Sequence, residues 1–541
     1  MPISAGAASA EGDRVASTLL DHLTRRAGFW IGAVTFAVTG WPAFLPRDHQ
    51  LITAFTDDSF FYFNIARHVA GGDGFTFDGI HATNGFQPLW LFILVPIFRW
   101  THETYLPLRC IILLQSGLLT FAGVLAWRIL RPRIPVAAAA AIPLLLIGLP
   151  GARLLWCGME SALFLALLVI TWRAWLRIEE KREATARDWQ LCGWCCALLF
   201  LARLEGGAAL IVALAMGALK VKRSPRLLPS LAALAAPPAL VACAYLAWNR
   251  IGFGTWLPIS GKVKMHWVGH QNIRDRLLGT FDVPWPGRRV LAWIFGDPRL
   301  PAWVVIGCGL ACLGSLVLAW RWRGPIARSL REAGAGFVVA TCAGVALIDQ
   351  VLIGPFLGEW AFVSSYLLTA IAIGLAVTKF PRVRQAVLVG ALLLCLWHVP
   401  AFARKASHWE DTFDGRSLLL AEWVRGQTRP GERVASLYAG VLGYFGERTV
   451  INLDGLVNSI DYYQRVLKGD EWESYLRGED VVWLADSGCN LDTPFKFSLE
   501  WMGKRIKGSR CYALVHIMRD PGLPENCGRL VWKTSWDQCG R

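Results

Sequence analysis

Apolar residues fall in long blocks along this chain, such as residues 136–149 and 304–320, with short polar stretches between them. A helix needs about 20 mainly apolar residues to cross the hydrocarbon core of a bilayer. Several blocks approach that length, which predicts an all-α polytopic membrane domain over residues 1–400. From residue 401 to 541 the runs shorten and alternate. Residues 433–438, 449–453 and 481–485 read as strands, and 461–467 and 472–476 as helices between them. The expectation there is a small α/β domain.

Charge turns the blocks into a topology. Six basic clusters interrupt them: Arg14/Arg25/Arg26, Arg128/Arg131/Arg133, residues 173–187, residues 220–226, residues 321–331 and residues 379–384. Placing all six in the cytoplasm satisfies the positive-inside rule with about eleven spans. These are 28–45, 106–127, 134–150, 161–176, 190–204, 206–220, 228–248, 301–320, 335–353, 362–379 and 385–400. The condition is that residues 88–100, short for a span, lie in or on the bilayer as an interfacial or re-entrant helix. Residues 46–105, 151–160, 203–206, 249–300 and 354–361 then share the non-cytoplasmic face with the tail. The N-terminus is cytoplasmic, in the cell's inner (plasma) membrane. Residues 1–26 are polar and no small-residue cleavage site follows the first apolar run, so a retained first span is expected.

Composition agrees. Hydrophobic residues make up 54% of the chain, charged residues 18%, and the mean hydropathy is +0.40. The net charge of +15 sits in the membrane part, because residues 401–541 hold 19 Lys+Arg against 19 Asp+Glu. That distribution reflects topology and gives no reason to expect nucleic-acid binding. Of 14 cysteines, the four in the tail (Cys489, Cys511, Cys527, Cys539) lie where disulfides form, which predicts two bridges with three possible pairings.

The densest chemistry is in the first polar loop, DDSFFYFNIARHVAGGDGFTFDGIHATNGFQPLW, from Asp57 to Trp90. Asp57 and Asp58 open an amphipathic helix. Capping of that helix is one explanation for two carboxylates there; the helix follows directly on a span, however, where paired carboxylates at a membrane surface bind a divalent cation or act as a base. His68 and His81 read as surface histidines. Glu160 stands at a span end, where capping is again an alternative. Arg203 and Glu205 lie where two spans meet and read as an internal ion pair or a cavity lining. Asp349 and Glu359 flank the ninth span. The 249–300 loop carries eight basic residues against three acids, and Lys262 and Lys264 follow a Ser-Gly turn. Such a loop beside a bilayer attracts phosphate or lipid headgroups.

In order, these motifs resemble the GT-C superfamily of membrane glycosyltransferases. The nearest branch is the bacterial arabinofuranosyltransferase-like one; protein O-mannosyltransferases and the aminoarabinose transferase of lipid A are more distant. The resemblance rests on the acidic pair, the Ile65-Ala66-Arg67 step and Asn84-Gly85-Phe86-Gln87-Pro88-Leu89-Trp90. It continues with Gly158-Met159-Glu160-Ser161, the run from Leu257 to Lys264, the Gly440 to Phe445 segment and Asn452-Leu453-Asp454-Gly455-Leu456. Many members have His where this chain has Gln87, which weakens a histidine metal ligand there. The resemblance implies transfer, with inversion, of a hexosyl or pentosyl group from a polyprenyl-phosphate monosaccharide to a cell-envelope glycan, lipid or protein. Asp58 or Asp57 would be the base, with Glu160 also catalytic. Lys262, Lys264 and Arg153 would meet the donor phosphate, and Asn84, Gln87, Arg203, Glu205 and Glu359 would line the cavity. A divalent cation on Asp57 and Asp58 is an option, and membrane lipids are partners. The alternative is a carrier of lipid-linked sugars.

Overall fold

A computed structural model describes residues 26–101, 103–222, 225–269, 323–349, 362–469, 471–488, 511–519 and 527–538. Among these residues, six helices are long and apolar enough to span a membrane, and a bent helix pair makes up to seven. The chain is a multi-pass membrane protein with a C-terminal sheet domain.

The first span is α1 (Arg26–Phe44). Two shorter helices follow in the first loop, α2 (Asp57–Gly71) and α3 (Pro88–Trp100), then α4 (Leu106–Leu130) and α5 (Val136–Gly148). The chain continues through α6 (Ser161–Glu180), α7 (Ala186–Ala202), α8 (Gly207–Val221), α9 (Leu227–Phe253) and α10 (Ile259–Gly269). Helices α11 (Arg323–Glu332) and α12 (Gly336–Ile348) form the bent pair, at 114°. Then come α13 (Val363–Ala376) and the long α14 (Pro381–Ser407). Helix α3 has 13 residues, too few for a span, and packs on α2. The expected spans 134–150, 190–204 and 362–379 correspond to α5, α7 and α13, of 13, 17 and 14 residues. The expected span 301–320 lies outside the described residues.

After α14 come α15 (Phe413–Gln427), β1 (Arg433–Ser436), α16 (Ala439–Phe445) and β2 (Val450–Asn452). Next are α17 (Trp472–Gly478), β3 (Val481–Gly488), β4 (Tyr512–Arg519) and β5 (Gly528–Thr534). The five-stranded sheet has the order β2-β1-β3-β5-β4, parallel across β2, β1 and β3 and antiparallel beyond. The three parallel strands are the three expected from short apolar runs, as befits strands covered on both faces. The β4–β5 hairpin is an addition to the expectation. Cys511 and Cys527 are both disulfide-bonded; Cys489 and Cys539 lie outside the described residues.

The C-terminal domain seats on the first loop. Asn64 donates to the Gly440 carbonyl at 3.1 Å, and Arg67 donates to Gly443 and Tyr444 carbonyls at 3.2 and 3.1 Å. Tyr444 donates to the Thr104 carbonyl at 2.7 Å. His81 is less free than a surface histidine: it bridges Asp78 of the loop and Glu479 of the domain.

Candidate active site

Glu160 owes its position to a tight turn. Gly158 has φ +91°, and a Cβ there would lie 2.6 Å from that of Ser59, so glycine alone fits. Buried Gln115 accepts from the Gly158 N–H at 3.0 Å and donates to the Met159 carbonyl, while Trp90 donates to the Gly158 carbonyl. The turn is thus held from three sides and delivers Glu160 to the first residue before α6. Arg203 forms an ion pair with Glu205 and lies 3.8 Å from Glu160. Both alternatives for that pair hold together, because it is buried, paired and cavity-lining.

Helix α10 is divided by its own periodicity. Ile259, Val263 and Trp267, four residues apart, enter the apolar core of the C-terminal domain. Ser260, Gly261, Lys264 and Met265 fall on another face and line a cavity of about 480 Å³. Asn84 fastens this helix: it accepts from the Ile259 N–H at 2.9 Å and donates to Asn249 at 3.0 Å.

The cavity gathers Asp58, Gln87, Glu160, Arg203, Glu205 and Lys264, with Tyr62 and, from the C-terminal domain, Leu456. It thus joins the first loop, the 151–160 and 203–206 stretches, the start of the 249–300 loop and the end of α12. Glu359 of the remaining stretch lies outside the described residues. Lys264 makes no hydrogen bond or ion pair among the described residues. Burial, and after it the adjacent Asp57 carboxylate, push the Asp58 carboxyl up to about 7, while Lys264 pulls it down.

Several expected residues stand elsewhere. Asp57 accepts from the backbone N–H of Gly440 at 3.1 Å and of Val441 at 2.9 Å, so it caps α16 and faces away from the cavity. Burial raises its carboxyl above the ordinary range although both amides lower it. Asn84 is a fastener, as above. Lys262 lies 6.0 Å from the Tyr463 ring, against the C-terminal domain. Arg153 lines a different, smaller cavity. Sequence reasoning missed Tyr62, whose hydroxyl accepts from the Gln87 N–H at 3.1 Å. It gave no separate weight to Asp454, whose carboxyl burial holds well above its usual range, with Asp58 adding to the rise. The Asn452-to-Leu456 motif was its only signal. Among the described residues, no group of three or more His, Cys, Asp or Glu side chains could hold a metal ion.

A family described as a domain of unknown function (DUF8728) matches residues 408–522, beginning where α14 ends. No curated protein matches the sequence. Among solved structures, the chain is similar to the oligosaccharyltransferase AglB of Archaeoglobus fulgidus, in complex with an inhibitory peptide and a dolichol-phosphate. Identity there is 12% and the TM-score 0.45, over 86% of this chain and 69% of that one. A second structure of the Archaeoglobus fulgidus oligosaccharyltransferase, in complex with Zn and sulfate, gives 13% and 0.47, over 94% and 73%. ArnT of Cupriavidus metallidurans bound to undecaprenyl phosphate gives 10% and 0.44, over 95% and 98%.

Proposed function

We propose that this chain is a membrane glycosyltransferase of the GT-C kind. It takes a sugar from a polyprenyl-phosphate monosaccharide and delivers it to a cell-envelope acceptor at the non-cytoplasmic face. The observation that carries the reading is one cavity lined by both the Asp58 carboxyl, which burial pushes up to about 7, and Lys264, which makes no hydrogen bond or ion pair among the described residues. The motif order in the sequence supports it independently.

The chemistry assigns each group a task. The acceptor hydroxyl oxygen attacks the anomeric carbon while Asp58 takes its proton, a base being most effective with a pKa near the working pH. The bond from that carbon to the phosphate oxygen breaks, and the polyprenyl phosphate leaves with the electron pair. Lys264 neutralises the charge that grows on it. Displacement in one step inverts the anomeric carbon. Gln87 Oε1 is buried without a hydrogen-bond partner among the described residues and is suited to accept from a sugar hydroxyl. Ile211 lines the cavity yet is 65% exposed on α8, which gives the prenyl chain an apolar way in from the side. Asp58 and Glu160 are the metal-capable side chains nearest this chemistry. Among the described residues no group of three such side chains is placed to hold a divalent cation, and no step is routed through one.

The test uses the purified full chain with polyprenyl-phosphate monosaccharides and an envelope extract. Asp58→Asn should lower transfer by about 10² to 10⁴ and retain donor binding. Full transfer by that variant overturns the assignment. Movement of labelled donor across vesicles, equal in both proteins and without transfer, identifies a carrier instead.

A further inference from the structure

A second cavity, of about 160 Å³, lies between the end of α1, the turn Ala152–Trp156 and the last turns of α14. It shares no lining residue with the larger one. Its polar lining is basic: Arg153, Lys405 and the His398 ring, set among Trp156, Phe402 and Pro42. Lys405 donates to the Thr53 carbonyl at 3.0 Å and His398 is near the Gly148 carbonyl at 3.2 Å. Arg153, half-buried, makes no hydrogen bond or ion pair among the described residues. Asp414 is the acid whose charge these cations feel. It approaches neither within ion-pair distance among the described contacts, and burial pushes its carboxyl up to about 6 although Lys405 pulls it down.

Two cations lining one niche that no carboxylate lines repel each other, and an anion entering the niche lowers that cost. Guanidinium and ammonium groups meet phosphate oxygens with short, charge-assisted bonds. The aromatic and aliphatic walls, at the ends of two span helices, fit the chain that follows a headgroup. We propose that this niche is a second phosphate-binding site, which takes the headgroup phosphate of an anionic lipid. The inference stands whether or not the larger cavity transfers sugar.

The experiment measures dioctanoyl phosphatidic acid and inorganic phosphate binding to the purified full chain carrying Lys264→Gln, which silences the first cation. Adding Arg153→Gln should weaken binding of the lipid by about tenfold or more, whereas adding Arg153→Lys should retain most of it. An unchanged unfolding midpoint without probe shows that the Gln variant is folded. If inorganic phosphate shows the same dependence on Arg153, the niche reads the free anion as well; if the lipid alone does, it reads the headgroup together with its chain. Both outcomes support a phosphate site. Equal binding in the Arg153→Gln variant, or equally tight binding of uncharged dioctanoylglycerol, overturns it.

Discussion

At the start of α2 the chain sends two adjacent carboxylates into two regions of different character. Successive helical residues point about 100° apart. Asp57 therefore enters the seam with the C-terminal domain, while Asp58 enters the cavity beneath it. In the seam the carboxylate oxygens meet fixed backbone amides, and Asn64 and Arg67 bind carbonyls of the same short helix α16. In the cavity the carboxyl faces open volume that Lys264 also lines, and burial pushes it up to about 7 although Lys264 pulls it down. One aspartate is satisfied and positions; the other is left chemically available. The contrast teaches that an acidic pair is not a single site, and that burial alone does not distinguish a structural carboxylate from a reactive one.

The sharpest way to break this contrast is to exchange the roles. Asp58→Asn should lower the transfer rate by about 10² to 10⁴, the usual worth of a positioned general base, while Asp57→Asn should retain most of it. The reverse order, read from initial rates on the same donor and acceptor, would place the base in the seam. Lys264→Gln should cost on the order of 10²-fold in rate, as loss of one group that stabilises developing negative charge does. It also carries a signature in pH. Lys264 lowers the Asp58 pKa from where burial would put it, so removing it raises that pKa above about 7. The fraction of Asp58 ionised at pH 7 falls, and the acid limb of the rate profile moves to higher pH. A limb that stays in place would show that Lys264 and Asp58 do not share a cavity.

How much of this was legible in the sequence depends on the direction of each side chain. Asp58, Glu160, Arg203, Glu205 and Lys264 stand out as charges at the ends of apolar runs, and the cavity collects them. Lys262 and Arg153 carry the same kind of signal, yet one faces Tyr463 and the other a separate niche. Charge at a loop says nothing about which side of a helix it occupies. The capping alternative for Asp57 was nearly right: it does cap a helix, but through an amide, that of Gly440, 383 residues later, which no local pattern can reveal. Leu456 enters the cavity wall by the same long-range route. In the tail, β1, β2 and β3 were readable as short apolar runs, whereas β5 is buried along nearly its whole length and lacks the alternation that marks a strand.

The seam can be opened without touching either carboxylate. Gly85 runs so close to the C-terminal domain that a Cβ there would lie 1.9 Å from the Leu456 carbonyl oxygen. The obstacle is backbone, so Gly85→Ala cannot be relieved by a rotamer change and should cost about 1–3 kcal/mol, the range for overpacking. It should displace the domain, seen as faster proteolysis between α14 and α15. An unchanged digestion pattern would mean that the domain is not held at this contact.

The smallest effect sharpens the comparison most, because it isolates the two amide bonds. In Asp57→Asn one oxygen still accepts an N–H, but the NH₂ group now faces the second amide, so that donor loses its acceptor. Leaving a buried donor unpaired costs about 1–3 kcal/mol, and the retained bond keeps the loss toward the lower end. The unfolding midpoint should therefore fall by less than in Gly85→Ala, and domain-linker proteolysis should quicken only slightly. The donor affinity of the cavity should not change, since none of its lining residues is altered. If Asp57→Asn instead weakened donor binding as much as Lys264→Gln, the seam and the cavity would be one region and the distinction between the two aspartates would fail.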